Sequence, residues 1–344
     1  MKTQNNKNKI LGGFSIMTFF LLFTITANAQ FELPTLGSVK PAIILNSDPA
    51  TPLPNSAVTI TANISGPAGA NGSNYTWFLN GSRQTAASGL NKNIFSLTTG
   101  NIGEIYRIGV NVALPNGENL SDSINLTVSD IDLTWITNSY APIFYKAKLM
   151  PTQNSLVTIS ALPFIYRPGT KTLIGSGNLI YNWMPDGKID SSKSGLGKFS
   201  YALRISNYPG NAHFVRLEIR TDDGAVSLSK DALIPVAKPQ ILLYFSDPLT
   251  GLPFGAALKN FVTKPVNLHF AAQTYFFTAP AKNLKWQWFI NNSEVSAAVE
   301  NPWLAALDLA NYFSGAFSAQ IKVSAQNSNN ELEMAQSITN LEVK

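Results

Sequence analysis

Cysteine is absent from the 344 residues, and histidine occurs only twice. Thiol catalysis, Cys-built zinc sites and a disulfide scaffold are thereby excluded. His213 and His269 leave little material for a histidine metal site or a Ser-His-Asp triad. Charge is also scarce: Asp, Glu, Lys and Arg make up 13%, about half the usual share of roughly 25%. Such sparse acids give a glycosidase-like carboxylate pair no evident scaffold. No Gly-x-Ser-x-Gly, phosphate loop or zinc-protease helix occurs. The expectation is a chain without catalysis, cofactor or metal. A hydrophobic content of 45% is ample for packed cores and argues against wholesale disorder.

The first 29 residues read as a segment outside the fold. Lys2, Lys7 and Lys9 precede an apolar run over 10–25, and Ala27-Asn28-Ala29 stands before Gln30. A basic start, an apolar middle and a small-x-small cut site form a secretory signal peptide. Three units of the formal net charge of +5 belong to those lysines, leaving +2 on the remaining 315 residues. Nucleic-acid binders show a basic stripe, so no nucleic-acid partner is expected. No second apolar run of about 18 residues exists, so no membrane span is expected beyond the signal. An uncleaved apolar run over 10–27 would instead serve as an anchor.

What the chain has is a repeat. An aromatic-x-Trp step followed by a turn appears as Tyr75-Thr76-Trp77 before Asn80-Gly81, Tyr181-Asn182-Trp183 before Asp186-Gly187, and Trp286-Gln287-Trp288 before Asn291-Asn292. The second Trp follows the first by 106 positions and the third follows the second by 105. Asn-Gly, Asp-Gly and Asn-Asn suit tight turns with positive φ. Upstream, Val58-Thr59-Ile60-Thr61-Ala62 matches Val157-Thr158-Ile159-Ser160-Ala161, and Leu268-His269-Phe270 holds the same place in the third copy. Downstream, Gly103, Gly210 and Gly315 each precede another alternating run. Period-2 alternation marks strands with one buried face.

Short strands, turn signals and little helical periodicity predict an all-β chain of three tandem antiparallel β-sandwich domains. The boundaries are a signal peptide over 1–29 and domains over 30–129, 130–235 and 236–344. Short Pro-bearing linkers are semi-rigid, and three such domains in line would form a rod on the order of 100 Å. Trp77, Trp183 and Trp288 are expected in the cores, with Ile60 and Ile108 filling the space a disulfide holds in antibody domains. Residues 301–311 read as a connection with a single helical turn.

The Tyr-x-Trp-x-x-Asn/Asp-Gly step, and above all the stretch from Tyr208-Pro209-Gly210 through Phe214-Val215-Arg216-Leu217-Glu218-Ile219 to Asp222-Asp223-Gly224, resembles PKD-type and bacterial Ig-like domains. The resemblance covers residues 36–344. It implies a non-enzymatic, extracellular or cell-surface protein acting as a spacer or adhesion module. Its partners would be other surface proteins or polysaccharide.

Trp135, Trp303 and the run Tyr275-Phe276-Phe277 are not explained by the repeat. Exposed aromatics can stack on sugar rings or anchor a partner, which makes these five the candidate ligand-binding residues. Packing at domain junctions is the competing reading. Asp222-Asp223-Gly224 offers paired carboxylates of the kind that hold Ca²⁺, yet reads as a hairpin turn. Asp48 and Asp247, each before Pro, read as turn caps. His269, between Leu268 and Phe270, is expected to face away from the core. Seven Asn-x-Ser/Thr sites occur, relevant only where the host glycosylates them.

Overall fold

The alternating segments become strands in the computed structural model. It describes residues 40–344 apart from 67–70, 265, 309–314 and the side chain of Phe254. Residues 1–29, read above as a signal peptide, lie outside the described residues. Pro41–Lys344 forms one unit, and its interior holds three hydrophobic cores.

The first third supplies β1 (Ala42–Asp48), β2 (Ala57–Ser65), β3 (Asn74–Leu79), β4 (Ser82–Arg83), β5 (Gly89–Leu90), β6 (Ile94–Thr98), β7 (Ile105–Ala113) and β8 (Asn119–Thr127). They pair as β1-β2-β6 and β4-β3-β7-β8, with β5 also on β3. The middle third contributes β9 (Asp130–Thr137), β10 (Leu156–Phe164), β11 (Ile180–Pro185), β12 (Gly195–Leu196), β13 (Ser200–Arg204), β14 (Ala212–Arg220) and β15 (Ser227–Pro235). Its sheets are β13-β10-β9 and β12-β11-β14-β15. The last third contains β16 (Gln240–Ser246), β17 (Pro253–Phe254), β18 (Asn260–Thr263), β19 (Asn267–Tyr275), β20 (Leu284–Ile290), β21 (Ser293–Val295), β22 (Leu304–Asp308), β23 (Phe317–Asn327) and β24 (Asn330–Val343). These form β17-β16-β19-β22 and β18-β24-β23-β20-β21. The pairing is antiparallel except between β18 and β24, which run parallel.

Alternation explains the layers. Along β7, Tyr106, Ile108, Val110 and Val112 are buried while Arg107 and Asn111 are exposed. A strand projects successive side chains to opposite faces, so each sheet has one apolar face to cover, and the two sheets of each third cover each other. Trp77, Trp183 and Trp288 stand at the centres of the three clusters, 0%, 0% and 2% exposed. Each indole N–H donates to a backbone carbonyl 14 or 15 residues on: Trp77 to Lys92 at 2.8 Å, Trp183 to Lys198 at 2.7 Å and Trp288 to Pro302 at 2.9 Å. Ile60 and Ile108 share a fully buried core with Trp77.

One local expectation fails. The segment read as a connection with a helical turn contains a strand, β22, which pairs with β19 from Asn267 opposite Asp308 to Ala271 opposite Leu304. Its apolar and small side chains find an open edge on β19, and sheet pairing outweighs their helical propensity. Residues 309–311 of that segment lie outside the described residues.

Candidate functional site: a cleft beside Trp303

The segment between β9 and β10, residues 138–155, departs from the repeat and carries Tyr140, Phe144 and Tyr145. It reaches across to the third sandwich. Tyr140 N–H donates to the Phe277 carbonyl at 2.7 Å, and Phe276 N–H donates back to Tyr140 at 2.6 Å. Tyr145 sets its ring edge-on against Tyr275 and Phe276, with centroids 5.8 and 5.7 Å apart, and Phe144 meets Tyr244 at 5.9 Å. The Tyr244 and Tyr275 hydroxyls hydrogen-bond at 2.8 Å. Burial and the neighbouring Tyr244 hold the Tyr275 phenol well above its ordinary range.

These contacts decide the fate of the candidate aromatics. Tyr275, Phe276 and Phe277 are buried, Phe277 completely, so they do not present the open faces that stacking on a ligand requires. Trp135 is also covered: the Lys148 ammonium lies 3.7 Å from its ring centroid. Burial lowers the Lys148 pKa. The physical reason is the segment over 140–150, which lays its own aromatics and lysine on these surfaces.

Trp303 has a different setting. It is half-buried at the turn before β22 and borders a cleft of about 470 Å³ between the 142–144 segment and the 248–253 turn. Ile143 and Leu249 project from the rim, 92% and 95% exposed. The Gln273 and Asn301 side chains supply amides. An aromatic wall with a few polar groups is the usual make-up of a small-ligand site. The structure thus brings Phe144 and Trp303 to one cleft and keeps Trp135 and Phe277 out of it. The signal for Phe144 was present in the sequence as an aromatic-rich insertion breaking the repeat.

Elsewhere, a buried carboxylate ties the second and third sandwiches together. Glu333, on β24, is 1% exposed. Its Oε1 accepts from Thr152 Oγ1 at 2.8 Å. Its Oε2 accepts from Thr278 N at 3.0 Å, Thr278 Oγ1 at 2.8 Å and Asn327 Nδ2 at 2.7 Å. Asn330 adds bonds to the Asn154 side chain at 3.2 Å and the Gln153 carbonyl at 3.0 Å. Nothing in the local sequence around Glu333 announces this role, because Thr278 and Thr152 lie 55 and 181 positions away and only Asn327 is near, at 6.

The acids flagged in the sequence sit in turns or at a strand end, and one of the two histidines is buried. Asp247 Oδ1 accepts from Leu249 N at 2.8 Å, and Asp223 Oδ1 from Ala225 N at 3.0 Å beside Gly224 at φ +70°. The Thr221 hydroxyl and that backbone N–H lower the Asp223 pKa. Asp48 ends β1 and precedes a cis Pro49. His213 is buried, its Nε2 accepting from Ser206 N and Asn207 N at 3.1 and 3.2 Å, which puts the ring proton on Nδ1. His269 is half-buried on β19. Among the described residues no three His, Cys, Asp or Glu side chains gather as a metal site, and no helix is long and apolar enough to cross a membrane.

Fold and contacts together define an all-β protein of tandem Ig-like antiparallel sandwiches. No protein-family model matches the sequence, and no curated protein matches it. Among solved structures it is similar to three N-terminal domains of the bacteriophage RB49 Highly Immunogenic Outer Capsid protein. Identity there is 11% over 89% of this chain and 100% of that one, with a TM-score of 0.28. It is also similar to the central fibronectin-III array of RIM-binding protein, 13% identical over 88% and 96% of the two chains, TM-score 0.29. A third is Bacteroides ovatus SGBP-B of the mixed-linkage glucan utilization locus, in complex with a mixed-linkage heptasaccharide. That pair is 9% identical over 86% of this chain and 65% of that one, TM-score 0.20. The fold assignment rests on this chain's own strand pairing.

Proposed function

We propose that the protein is a non-enzymatic exported spacer or adhesion module of three Ig/PKD-like domains, 30–129, 130–235 and 236–344, freed from a signal peptide after residue 29. The observation that carries this reading is the joint around Glu333. A buried carboxylate with four donors, one of them from the preceding sandwich, is the kind of contact that holds successive modules at a set angle. A spacer needs that property, because a floppy joint would not hold its outer end at a set distance. The connections support the same reading: only Val128 and Ser129 separate β8 from β9, and 236–239 separate β15 from β16. The partners would be other surface proteins or polysaccharide.

N-terminal sequencing of exported material tests the location: a start at Gln30 supports export, and retention of Met1 in the cytoplasm overturns it. A screen across hydrolase substrates tests the chemistry. Turnover abolished by one point substitution would overturn the non-enzymatic reading.

A second reading, carbohydrate binding, is favoured by one observation: the Trp303 cleft pairs an aromatic wall with the Gln273 and Asn301 amides. Trp303→Ala should then abolish glycan-array binding while leaving the unfolding midpoint within a few degrees. Equal binding by the variant would remove this reading.

A further inference from the structure

The outer faces of the three Trp-bearing sheets differ at one position. In the third sandwich a cross-strand row runs Glu294, Phe289, Lys322, Ile338, and the Lys322 ammonium covers the Phe289 ring at 4.1 Å. In the second the row is Met184, Arg216, Asp231, with Arg216 Nε and Nη2 on the Asp231 carboxylate at 2.8 and 3.0 Å. In the first the row is Arg83, Phe78, Gly109, Ser123. Glycine stands where the siblings carry a long cation.

The backbone does not require that glycine. Gly109 has no positive φ, and an added Cβ would meet only ordinary contacts, the Asp122 carbonyl at 3.9 Å and Phe78 Cβ at 4.0 Å. Glycine inside a strand weakens it, and it often marks a place where something approaches closely. Its consequence here is a groove of about 570 Å³ beside Phe78, floored by Gly109. That volume suits a small ligand or a few sugar rings.

The groove's chemistry is one-sided. Arg83 and Arg107 are exposed on this face, and among the described residues neither forms an ion pair with an acid. One carboxylate, Asp122, also lines the groove, held by the Leu45 and Ser123 backbone N–H groups at 3.0 and 2.8 Å and paired with neither arginine, so two cations face one anion. The remaining rim is neutral: Asn111, Ser121, Ser123 and Asn125. A half-buried phenyl ring with no cation laid over it among the described residues fits the apolar C–H face of a pyranose. Hydroxyls and amides fit its hydroxyl groups, and two unpaired guanidiniums fit a carboxylate.

We propose that this face of β3, β7 and β8 binds an acidic saccharide chain, one uronate ring lying against Phe78 in the space left by Gly109 with its carboxylate toward Arg107 or Arg83. The site is separate from the Trp303 cleft and stands whether or not the spacer reading holds.

The test is affinity electrophoresis of the full chain through polygalacturonate, its methyl ester, and poly(dT). Retardation by polygalacturonate is expected, about tenfold weaker with the uncharged ester, and weakening as salt screens the arginines. Gly109→Val fills the groove without changing charge and adds a strand-favouring side chain. It should weaken binding at least about tenfold with an unchanged or higher unfolding midpoint. Phe78→Leu, which keeps apolar bulk but removes the flat ring, should also weaken it. Absence of retardation by polygalacturonate, tighter binding of poly(dT), or full binding by Gly109→Val or Phe78→Leu would each overturn the proposal.

Discussion

Glu333 offers the sharpest check on how the joint is held, because substitution can separate its charge from its hydrogen bonds. No Lys or Arg forms an ion pair with it among the described residues, so its desolvation is offset by four donated hydrogen bonds alone. Glu333→Gln preserves the count. The amide oxygen in the place of Oε2 keeps Thr278 N, Thr278 Oγ1 and Asn327 Nδ2. The amide nitrogen in the place of Oε1 donates to Thr152 Oγ1, whose hydroxyl turns to accept. A buried charge disappears, which offsets the Thr152 hydroxyl proton and the second amide N–H left without an acceptor, so stability should fall by no more than about 1–2 kcal/mol, less than in the apolar variant. Glu333→Leu has the opposite effect. The two hydroxyls can find new partners by rotation, but the Thr278 N–H is fixed and the Asn327 amide loses one of its two acceptors. At 1–3 kcal/mol for each of these two groups, the cost is roughly 2–6 kcal/mol. Thr152→Val removes the one Glu333 bond that crosses between sandwiches, leaving those of Asn330 and Tyr140, and should cost about 1–3 kcal/mol of coupling. Urea unfolding of the three variants, with amide exchange on β19 and β24, gives the assay. A Glu333→Gln variant as damaged as Glu333→Leu would refute the reasoning, since the charge itself would then hold the joint.

Two further outcomes follow from the cores and the pKa values. Trp183 is fully buried and stacks on Tyr201 at 5.4 Å, so Trp183→Ala should cost about 3–5 kcal/mol. Trp183→Phe keeps the stack but orphans the Lys198 carbonyl and should cost about 1–3 kcal/mol in denaturant titration. Burial pushes the Tyr181 phenol up to about 12, and burial with the adjacent Asp190 pushes Tyr201 up to about 12. A phenol whose folded value is raised favours the native state below its ordinary value of 10. That contribution is lost as pH rises from 10 toward about 12. Phenolate absorbance in the native protein should therefore lag that of urea-unfolded chain, and coincident titrations would contradict the burial.

The sequence determined the things that depend on period and local chemistry. Alternation of apolar and polar residues specifies a strand and its buried face without reference to the rest of the chain. The Trp-turn spacing therefore made the sandwich repeat legible, along with its indole centres and the Gly103 and Gly210 corners, which take φ values of +80° and +91°. The candidate site was less legible. Of the five flagged aromatics, Trp303 borders the cleft and the other four are buried, while Phe144, on the cleft wall, was not singled out. Exposure is a property of what packs on top, and what packs on Tyr275 and Phe276 is Tyr145, more than 100 positions upstream.

Tertiary structure alone decided the rest. It turned 304–308 into a strand because β19 offered an unpaired edge. It collected Thr152, Thr278 and Asn327 around one carboxylate, and it set Gly109 beside Phe78 where the sibling sheets place Lys322 and Arg216. Except for Asn327 and Glu333, these are relations between residues far apart in the chain, and a one-dimensional pattern encodes neither distance nor burial between such positions.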